Sequence, residues 1–267
     1  MDKRPIGIFD SGVGGLTVCK AIEEILPHEH IIYFGDTARF PYGTRSHETV
    51  IRYSREITDY LTSRNTKMIV IACNTASAVA LETLKRENSI PVIGVIEAGA
   101  RAACSRRRGD IIGVIGTRAT INSESYVKAI KKINSAIKVI QQQATIFVSL
   151  TEEGWVDDQI TQMVAKKYLQ HLYDADVRTL ILGCTHFPLL KKTINSVYPD
   201  LDLIDTGVEI AYEVEAILKE KNLENSDGSR NIELYASDIS ETLQRLKEVF
   251  FGNNSTNIQK LIIDSKI

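Results

Sequence analysis

Two stretches of the chain share one pattern, an apolar strand that ends at a cysteine. Residues 68–72 form a continuous apolar run, typical of a strand buried on both faces of a parallel sheet, and Cys73 follows directly. Residues 178–187 repeat the pattern, with Cys184 after another apolar strand. In open α/β sheets, ligands bind at the carboxyl ends of the strands. We therefore expect both cysteines to lie at such an edge.

The residues that follow Cys73 predict a helix. Asn74 and Thr75 are good N-cap residues, and residues 76–85 are rich in helix formers. A helix N-terminus favours a nearby anion, so we expect Cys73 to ionise readily to a thiolate. A single cysteine beside a buried strand is more often a packing residue. Two cysteines at equivalent positions favour a functional pair.

Strands and helices alternate along the chain, which predicts an α/β fold with mainly parallel sheets flanked by helices. The predicted strands are 6–9, 31–34, 68–72, 92–96, 111–115, 138–140, 180–182, 203–204, 232–235 and 261–263. The first predicted helix ends near residue 26, and the others span 47–63, 76–85, 122–133, 157–171, 208–219 and 240–249. Residues 35–43 and 222–229 are predicted to be loops.

A weak internal repeat relates the two halves. Residues 6–11, Ile-Gly-Ile-Phe-Asp-Ser, resemble residues 112–117, Ile-Gly-Val-Ile-Gly-Thr, at an offset of 106, and the two cysteines are 111 residues apart. Because the two separations are nearly equal, we predict two similar α/β domains related by a pseudo-two-fold axis. The domains would face each other across a cleft that holds the active site. The alternative is that strand-then-turn phrases look alike in any α/β protein.

Composition argues against several classes of protein. Charged residues make up 25% and apolar residues 43% of the 267 residues, which is ordinary for a globular protein. The net charge of −2 favours neither a nucleic acid nor a membrane surface as a partner. No apolar run reaches membrane-span length, and the first residues do not resemble a signal peptide. Four cysteines without Cys-x-x-Cys or zinc-type spacing predict free thiols, no metal site and a cytoplasmic location.

Two thiols on opposite faces of one carbon suit inversion of a stereocentre. One thiolate, from Cys73 or Cys184, would remove a proton and the other thiol would deliver one to the far face. A free cysteine has a pKa of about 8.5, which its surroundings can bring into a useful range. The carbanion formed beside a carboxylate needs hydrogen-bond donors. Thr75, Thr117, Thr185 and backbone N–H groups are the candidates.

A glycine-rich turn follows the first predicted strand. Asp10 opens this turn and either caps the helix or acts as a carboxylate that polarises a thiol or holds an ammonium group; Ser11 could also bind that ammonium. The glycines at 12 and 14 partly resemble a dinucleotide-binding turn. Thr17 occupies the third glycine position, however, and a carboxylate is a poor neighbour for phosphate.

Other polar residues carry weaker signals. His186, two residues from Cys184, is either a proton partner of the thiol or a structural histidine near a helix start. Gly43, after Tyr42, would let the backbone approach a ligand closely. Asp36 and Glu152 are single acids in predicted loops, and we interpret both as solvated charges on this evidence.

Five segments together resemble bacterial glutamate racemases of the aspartate/glutamate racemase superfamily: residues 10–17, 35–43, 72–76, 91–97 and 182–190. The two cysteine motifs are jointly the most specific. The resemblance implies an isomerase that interconverts L- and D-glutamate without a cofactor or metal and supplies D-glutamate for peptidoglycan. It also implies a cytoplasmic homodimer. In its fold the C-terminal segment returns to the first domain, giving domains 1–96 plus 207–267 and 97–206.

The resemblance also implies roles for individual residues. Cys73 would act on D-glutamate with help from Asp10, and Cys184 on L-glutamate with help from Glu152 and His186. Substrate contacts are implied for Asp10, Ser11, Tyr42, Gly43, Asn74, Thr75, Thr117, Thr185 and His186, with Thr117 at the side-chain carboxylate. The chain departs from the family pattern at Phe40, where a cysteine is usual, and at residues 143–148, where an Ala-Cys-Pro-type phrase is common.

Three rival interpretations stay open at this point. The nearest is another racemase of the same superfamily, acting on aspartate; the histidine after Cys-Thr resembles the glutamate branch. A thiol hydrolase would use Cys184 as nucleophile and His186 as base, and would not need Cys73. A binding protein without turnover is the third. Pyridoxal phosphate is the usual cofactor for racemising amino acids, but no lysine stands in a recognisable site for it.

Overall fold

The computed structural model describes residues 1–228, 231–252 and 257–263. Ten strands in these residues form two sheets in which every neighbouring pair is parallel. The strands are β1 (Ile6–Asp10), β2 (His30–Gly35), β3 (Met68–Ile71), β4 (Val92–Gly94), β5 (Ile111–Gly116), β6 (Lys138–Gln143), β7 (Thr179–Gly183), β8 (Asp202–Asp205), β9 (Asn231–Ala236) and β10 (Ile258–Lys260).

Eleven α-helices are present in the same residues. They are α1 (Leu16–Ile25), α2 (His47–Ser63), α3 (Asn74–Glu87), α4 (Val95–Arg106), α5 (Arg118–Asn122), α6 (Ser125–Ile133), α7 (Ile146–Glu152), α8 (Gln159–Asp174), α9 (Lys191–Val197), α10 (Thr206–Glu220) and α11 (Glu241–Phe251). Short 3₁₀ turns occupy Thr37–Arg39, Tyr42–Thr44 and Phe187–Leu190. Among the described residues, none of the helices combines the length and the apolar character that a membrane span requires.

The two sheets share one strand order. The first sheet runs β10-β9-β2-β1-β3-β4 and the second β6-β5-β7-β8. The run β2-β1-β3-β4 therefore recurs as β6-β5-β7-β8, so β1 corresponds to β5 and β3 to β7. The sequence repeat falls on equivalent strands, because residues 6–11 cover β1 and the start of its turn, and residues 112–117 cover β5 and the start of its turn. The predicted fold class, two α/β units with parallel sheets flanked by helices, is confirmed.

Alternating side chains bury both faces of each sheet. On β1, Ile8 joins the cluster under α1 and α10, whereas its neighbour Phe9 joins the cluster under α2 and α3. On β7, Ile181 packs toward α4 and α6, and Leu182 toward α7, α8 and α9. Each fully buried aliphatic side chain of this size contributes about 1.5–3 kcal/mol. The sheets are thus rigid supports for the loops at their carboxyl ends.

A buried ion pair anchors the amino edge of the first sheet. Lys67 precedes β3 and is fully buried; its Nζ donates to Glu29 Oε2 at 2.5 Å and to the carbonyls of Asp2 and Leu223 at 2.8 and 2.7 Å. Glu29 Oε1 accepts from the backbone N–H of Asn225 at 2.8 Å. This cluster joins the N-terminal residues, two strand starts and the segment after α10.

Three helices, α4, α7 and α9, are absent from the sequence prediction. The predicted strand 92–96 ends at Gly94, and α4 begins at Val95. Most of α4 is buried because it packs against both halves of the molecule, so it lacks the polar face that marks a helix in a sequence. Helices α7 and α9 lie in stretches between predicted elements. Each has only seven residues, three of them β-branched and therefore weak helix formers.

Other boundaries also differ. The predicted helix 122–133 is two helices, α5 and α6, because Glu124 adopts a left-handed conformation with φ of 54° between them. The last strand lies at Ile258–Lys260 rather than at 261–263. The loop 222–229 is free of helix and strand as far as residue 228; Ser229 lies outside the described residues.

The C-terminal strands belong to the first sheet, since β9 pairs with β2 and β10 with β9. Both predicted domain boundaries fall in the first turn of a helix, residue 96 in α4 and residue 206 in α10. Helix α10 packs on both α1 and α4. We propose the division into 1–96 plus 207–267 and 97–206 as the domain organisation, with α4 as the link.

Candidate active site

A single cavity of about 240 Å³ holds both cysteines that the sequence singled out. It lies at the carboxyl ends of β1 and β3 in one sheet and of β5 and β7 in the other, where the strand order reverses. Its volume is below that of pockets for drug-sized molecules. The lining residues are Ser11, Phe40, Pro41, Tyr42, Gly43, Thr44, Cys73, Asn74, Thr75, Thr117, Arg118, Gln143, Thr145, Val148, Ser149, Glu152, Cys184, Thr185 and His186.

Cys73 is itself the N-cap of α3. Its Sγ accepts from the backbone N–H of Ala76 at 3.5 Å and is hydrogen-bonded to Ser11 Oγ at 3.4 Å. Asn74 and Thr75, expected as caps, form the first turn instead. Burial and the neighbouring carboxylate of Asp10 outweigh these hydrogen bonds and raise the pKa of Cys73 to about 12. The expectation of a readily ionised Cys73 is therefore wrong, because these surroundings favour the thiol.

Asp10 lies beneath the cavity and does not line it. Its carboxylate is fully buried, accepts from the backbone N–H of Gly12 at 2.9 Å, and has a pKa raised by burial. Thr185 Oγ1 approaches Asp10 Oδ1 at 3.5 Å from the other half. The turn packs so closely on Thr185 that only a glycine fits at position 14, since a Cβ there would lie 2.4 Å from Thr185 Oγ1. Gly14 thus allows close contact between the two halves.

Cys184, His186 and Glu152 form a line of proton-carrying groups. Cys184 Sγ lies 3.8 Å from His186 Nδ1, and His186 Nε2 lies 3.1 Å from Glu152 Oε1. Burial opposes the charged imidazolium, but the hydrogen bonds to Cys184 and Glu152 outweigh it and raise the pKa of His186 to about 10. Glu152, which ends α7, is therefore a partner of the histidine and not the solvated loop charge that its sequence context indicated.

The raised pKa of His186 predicts a pH-dependent stability. Its proton is bound more tightly in the folded chain than at the ordinary value near 6.5, so this stabilisation is complete below about pH 6.5 and is lost as pH rises through about 10. The melting temperature of the native protein should exceed that of His186→Asn most near pH 6.5, and the difference should shrink toward pH 10. A difference that grows with pH would contradict the assignment.

Hydroxyl groups from both halves meet at one side of the cavity. Thr75 Oγ1 lies 3.1 Å from Thr117 Oγ1 and 3.4 Å from Thr120 Oγ1, and the last two are 3.1 Å apart. Gly43 approaches this cluster so closely that a Cβ there would lie 3.3 Å from Thr117. Thr120 was not predicted; it follows Thr117 by three residues, the spacing that brings side chains together on a helix.

Asn74 presents an unused donor. Its Oδ1 accepts from Tyr126 OH at 2.6 Å, whereas its Nδ2 is buried with no hydrogen-bond partner among the described residues. A buried amide N–H₂ without a partner carries a desolvation cost that a ligand acceptor in the cavity would relieve. Asn74 is thus positioned to bind an oxygen atom of a ligand.

Asp36 holds the loop that carries Tyr42. The sequence suggested a solvated charge, but Asp36 is fully buried and accepts from Tyr42 OH, from Arg39 Nε at 2.7 Å and from Ser237 Oγ at 3.0 Å. Ser237 follows β9, about two hundred residues away in the chain, so this partner leaves no local signal. Tyr42 is fixed as a cavity wall by these bonds.

Asp36→Asn should loosen this wall. Charge-assisted hydrogen bonds are each worth about 1.5–3 kcal/mol, so we expect a loss of stability of that order and a several-fold rise in KM with a smaller change in kcat. Asp238→Asn, at an exposed acid paired with Lys260, is the matched control and should change stability by less than about 0.5 kcal/mol. Thermal unfolding and steady-state kinetics measure both effects; equal effects of the two variants would refute the anchoring role.

The remaining lining residues were not predicted as site residues. Phe40, noted only as a departure from the family pattern, lies beside His186 with ring centroids 6.0 Å apart and ring planes tilted by 40°. Arg118, Gln143, Thr145, Val148 and Ser149 come from α5, the end of β6 and α7. Gln143, Thr145 and Val148 stand out in the sequence only within the departure from the family pattern at 143–148, and Arg118 and Ser149 carry no mark at all. Within the described residues no group of three or more His, Cys, Asp or Glu side chains is arranged to hold a metal ion.

Two sheets of matching strand order, with a thiol after each equivalent strand and both thiols in one cleft, define the class of two-domain α/β racemases. Residues 6–213 match the family described as Asp/Glu/Hydantoin racemase, and the chain belongs to this family. The glutamate racemase of Geobacter metallireducens is 46% identical over 268 residues, covering 100% of this chain and 99% of that protein.

Solved structures agree with this assignment. The glutamate racemase of Francisella tularensis, solved with D-glutamate, has a TM-score of 0.92 and 39% identity, and the match covers 99% of this chain and 100% of that one. The Escherichia coli glutamate racemase, solved with L-glutamate and the activator UDP-MurNAc-ala, has a TM-score of 0.81 and 28% identity, covering 98% and 100%. The resemblance to bacterial glutamate racemases seen in the sequence is confirmed.

Proposed function

We propose that this protein interconverts L- and D-glutamate by proton transfer between Cα and the two thiols. The observation that carries the proposal is the sharing of one small cavity by Cys73 and Cys184, each placed after an equivalent strand of a repeated sheet. The similar Geobacter metallireducens and Francisella tularensis proteins are glutamate racemases, and the second was solved with D-glutamate, which supports glutamate as the substrate.

The two thiols are in different environments, which sets their order of action on L-glutamate. Cys184, whose Sγ lies 3.8 Å from His186 Nδ1, is the base in this direction: its thiolate takes the Cα proton and becomes a thiol. Cys73, with its high pKa, is already a thiol and gives its proton to the opposite face of Cα. The product is D-glutamate, and the site is left with a Cys73 thiolate and a Cys184 thiol. This form performs the reverse reaction.

The carbanion intermediate needs stabilisation at its carboxylate. The free N–H₂ of Asn74 and the hydroxyls of Ser11, Thr75 and Thr185 line the cavity and are available as donors. Thr117 Oγ1 lies 3.1 Å from Thr75 Oγ1 and beside the backbone of Gly43, and this corner of the cavity suits the side-chain carboxylate. Asp10, buried below Cys73, would act through Ser11 and the turn backbone and not by touching substrate.

Incubation of L-glutamate in D₂O without added cofactor tests the proposal. Optical rotation should fall to zero while deuterium enters Cα, because each thiol exchanges its hydrogen with solvent. Unchanged rotation with the folded protein would overturn the proposed function. L-Aspartate in the same assay tests the rival substrate and should racemise far more slowly.

The line from Cys184 through His186 to Glu152 also suits a thiol hydrolase, with Cys184 as nucleophile and His186 as base. That function would leave Cys73→Ala fully active and would give a covalent adduct on Cys184 detectable by mass spectrometry. The racemase predicts an inactive Cys73→Ala variant and no adduct.

Wider roles follow from the same proposal. D-Glutamate made here would supply peptidoglycan synthesis, and a strain depleted of the protein should require added D-glutamate to grow. None of the four cysteines, all within the described residues, forms a disulfide, which suits a cytoplasmic location. We also propose a homodimer, as the family resemblance implies; light scattering after size exclusion should give twice the 29.8 kDa chain mass.

A further inference from the structure

Arg118 brings an uncommitted positive charge to the cavity. It is the first residue of α5, directly after Thr117, and its side chain is exposed where it lines the cavity. It is the only lysine or arginine among the lining residues, and His186 is the other basic side chain.

The guanidinium of Arg118 makes no hydrogen bond or ion pair within residues 1–228, 231–252 and 257–263, in contrast to two other arginines. Arg39 is held by Asp36 and Glu56, and Arg245 donates to the backbone carbonyl of Glu152. An exposed guanidinium free of such bonds can turn toward a ligand without breaking an internal ion pair. Its planar fork suits a carboxylate.

Apart from Arg118, the cavity has no free positive charge to pair with a second carboxylate of the ligand. Glutamate brings two carboxylates and one ammonium, and the cavity already contains the carboxylate of Glu152. The cation at His186 is committed to Cys184 and Glu152. The hydroxyl cluster at Thr117 offers donors but no positive charge. Arg118, next to Thr117, is therefore the group that can balance a second ligand carboxylate.

We infer that Arg118 determines specificity by recognising the side-chain carboxylate of the substrate and by favouring an acid over its neutral amide. This inference rests on the proposed function. Because the guanidinium is exposed, solvent and salt screen the interaction, so its contribution is about threefold to fivefold in affinity and declines with ionic strength.

Arg118→Gln tests the inference, with Arg118→Lys as the conservative variant and Arg108→Gln as a control. Arg108 is exposed and lies outside the cavity, so its replacement makes the same change in net charge. For Arg118→Gln we expect KM for glutamate to rise about fivefold at low salt, with kcat within about twofold and a flatter salt dependence. Arg118→Lys should recover part of the affinity, and Arg108→Gln should match the native protein.

Competition by glutarate and by its monoamide glutaramate gives a second readout. The native protein should bind glutarate more tightly, and Arg118→Gln should lose that preference. If Arg118→Gln keeps the native KM, salt dependence and preference for glutarate, the inference is wrong while the racemase proposal stands. If the native protein does not racemise glutamate, the proposed function fails, and calorimetry with glutarate and glutaramate still decides whether Arg118 selects a carboxylate.

Discussion

Cys73→Ser and Cys184→Ser should each lower the rate of glutamate racemisation by at least about 10³-fold. A serine hydroxyl keeps the shape of the thiol but is far too weak an acid to exchange a proton with Cα, and a positioned acid or base contributes about 10²–10⁴-fold. Neither change removes the donors that hold the carboxylates, so both variants should still bind glutamate. Polarimetry and calorimetry measure the two properties separately.

Exchange with D₂O should show which thiol serves which enantiomer. Cys73→Ser retains Cys184 and should introduce deuterium into L-glutamate without forming D-glutamate; Cys184→Ser should do the reverse. Enantiomers have equal free energies, so kcat/KM must be the same in both directions for every variant. A difference between L- and D-glutamate can therefore appear only in the rate of deuterium exchange, or in kcat and KM when each is compared separately.

Cys104→Ser is the matched control, because Cys104 is a buried free thiol outside the cavity. It should remain active. Near-full racemisation by either of the other two variants, or equal exchange of both enantiomers by one of them, would contradict the two-thiol mechanism.

Lys67→Met should be the most destabilising single change proposed for this chain. It removes the ammonium and leaves the carboxylate of Glu29 buried without its counter-charge. Breaking a buried ion pair in this way costs about 3–5 kcal/mol, which for a chain of this size lowers the melting temperature by roughly 10 °C. Calorimetric or circular-dichroism melting provides the measurement.

Controls separate charge burial from loss of charge. Lys85→Met removes an ammonium paired with Glu82 and Glu97 near the surface and should cost less than about 1 kcal/mol. Lys67→Met with Glu29→Gln should recover part of the lost stability, since no unpaired charge then remains. Because Lys67 lies at the amino edge of the sheet, kcat well below the melting temperature should not change. Equal destabilisation by Lys67→Met and Lys85→Met would refute this account.

Local patterns predicted the parallel sheets and the two thiols because both depend on near neighbours in the chain. An apolar run followed by Cys73 or Cys184 is by itself enough to indicate the end of a buried strand. The sequence did not predict α4, because a helix buried on two sides has no amphipathic period. It also did not predict the burial of Asp36, whose partner Ser237 is contributed by the far end of the chain.

The protonation state of Cys73 was mispredicted for a related reason. Its position at a helix N-terminus is visible in the sequence and favours a thiolate. The burial of the sulfur and the carboxylate of Asp10, which oppose ionisation, depend on how the strands assemble. The arginine at 118 was likewise unmarked, since nothing local shows that α5 reaches the cavity.

Several hydrogen bonds cross between the halves beside the thiols: Tyr126 to Asn74, Thr75 to Thr117, and Thr17 to the carbonyl of Thr185. Together they form a pivot, so the halves would rock about this side of the cleft and separate at its lip, on the side away from these hydrogen bonds. Sulfur positions close to the pivot would shift little while substrate enters and leaves. Structures with and without glutamate should keep these three distances and differ at the lip; a uniform separation of the halves would exclude a pivot.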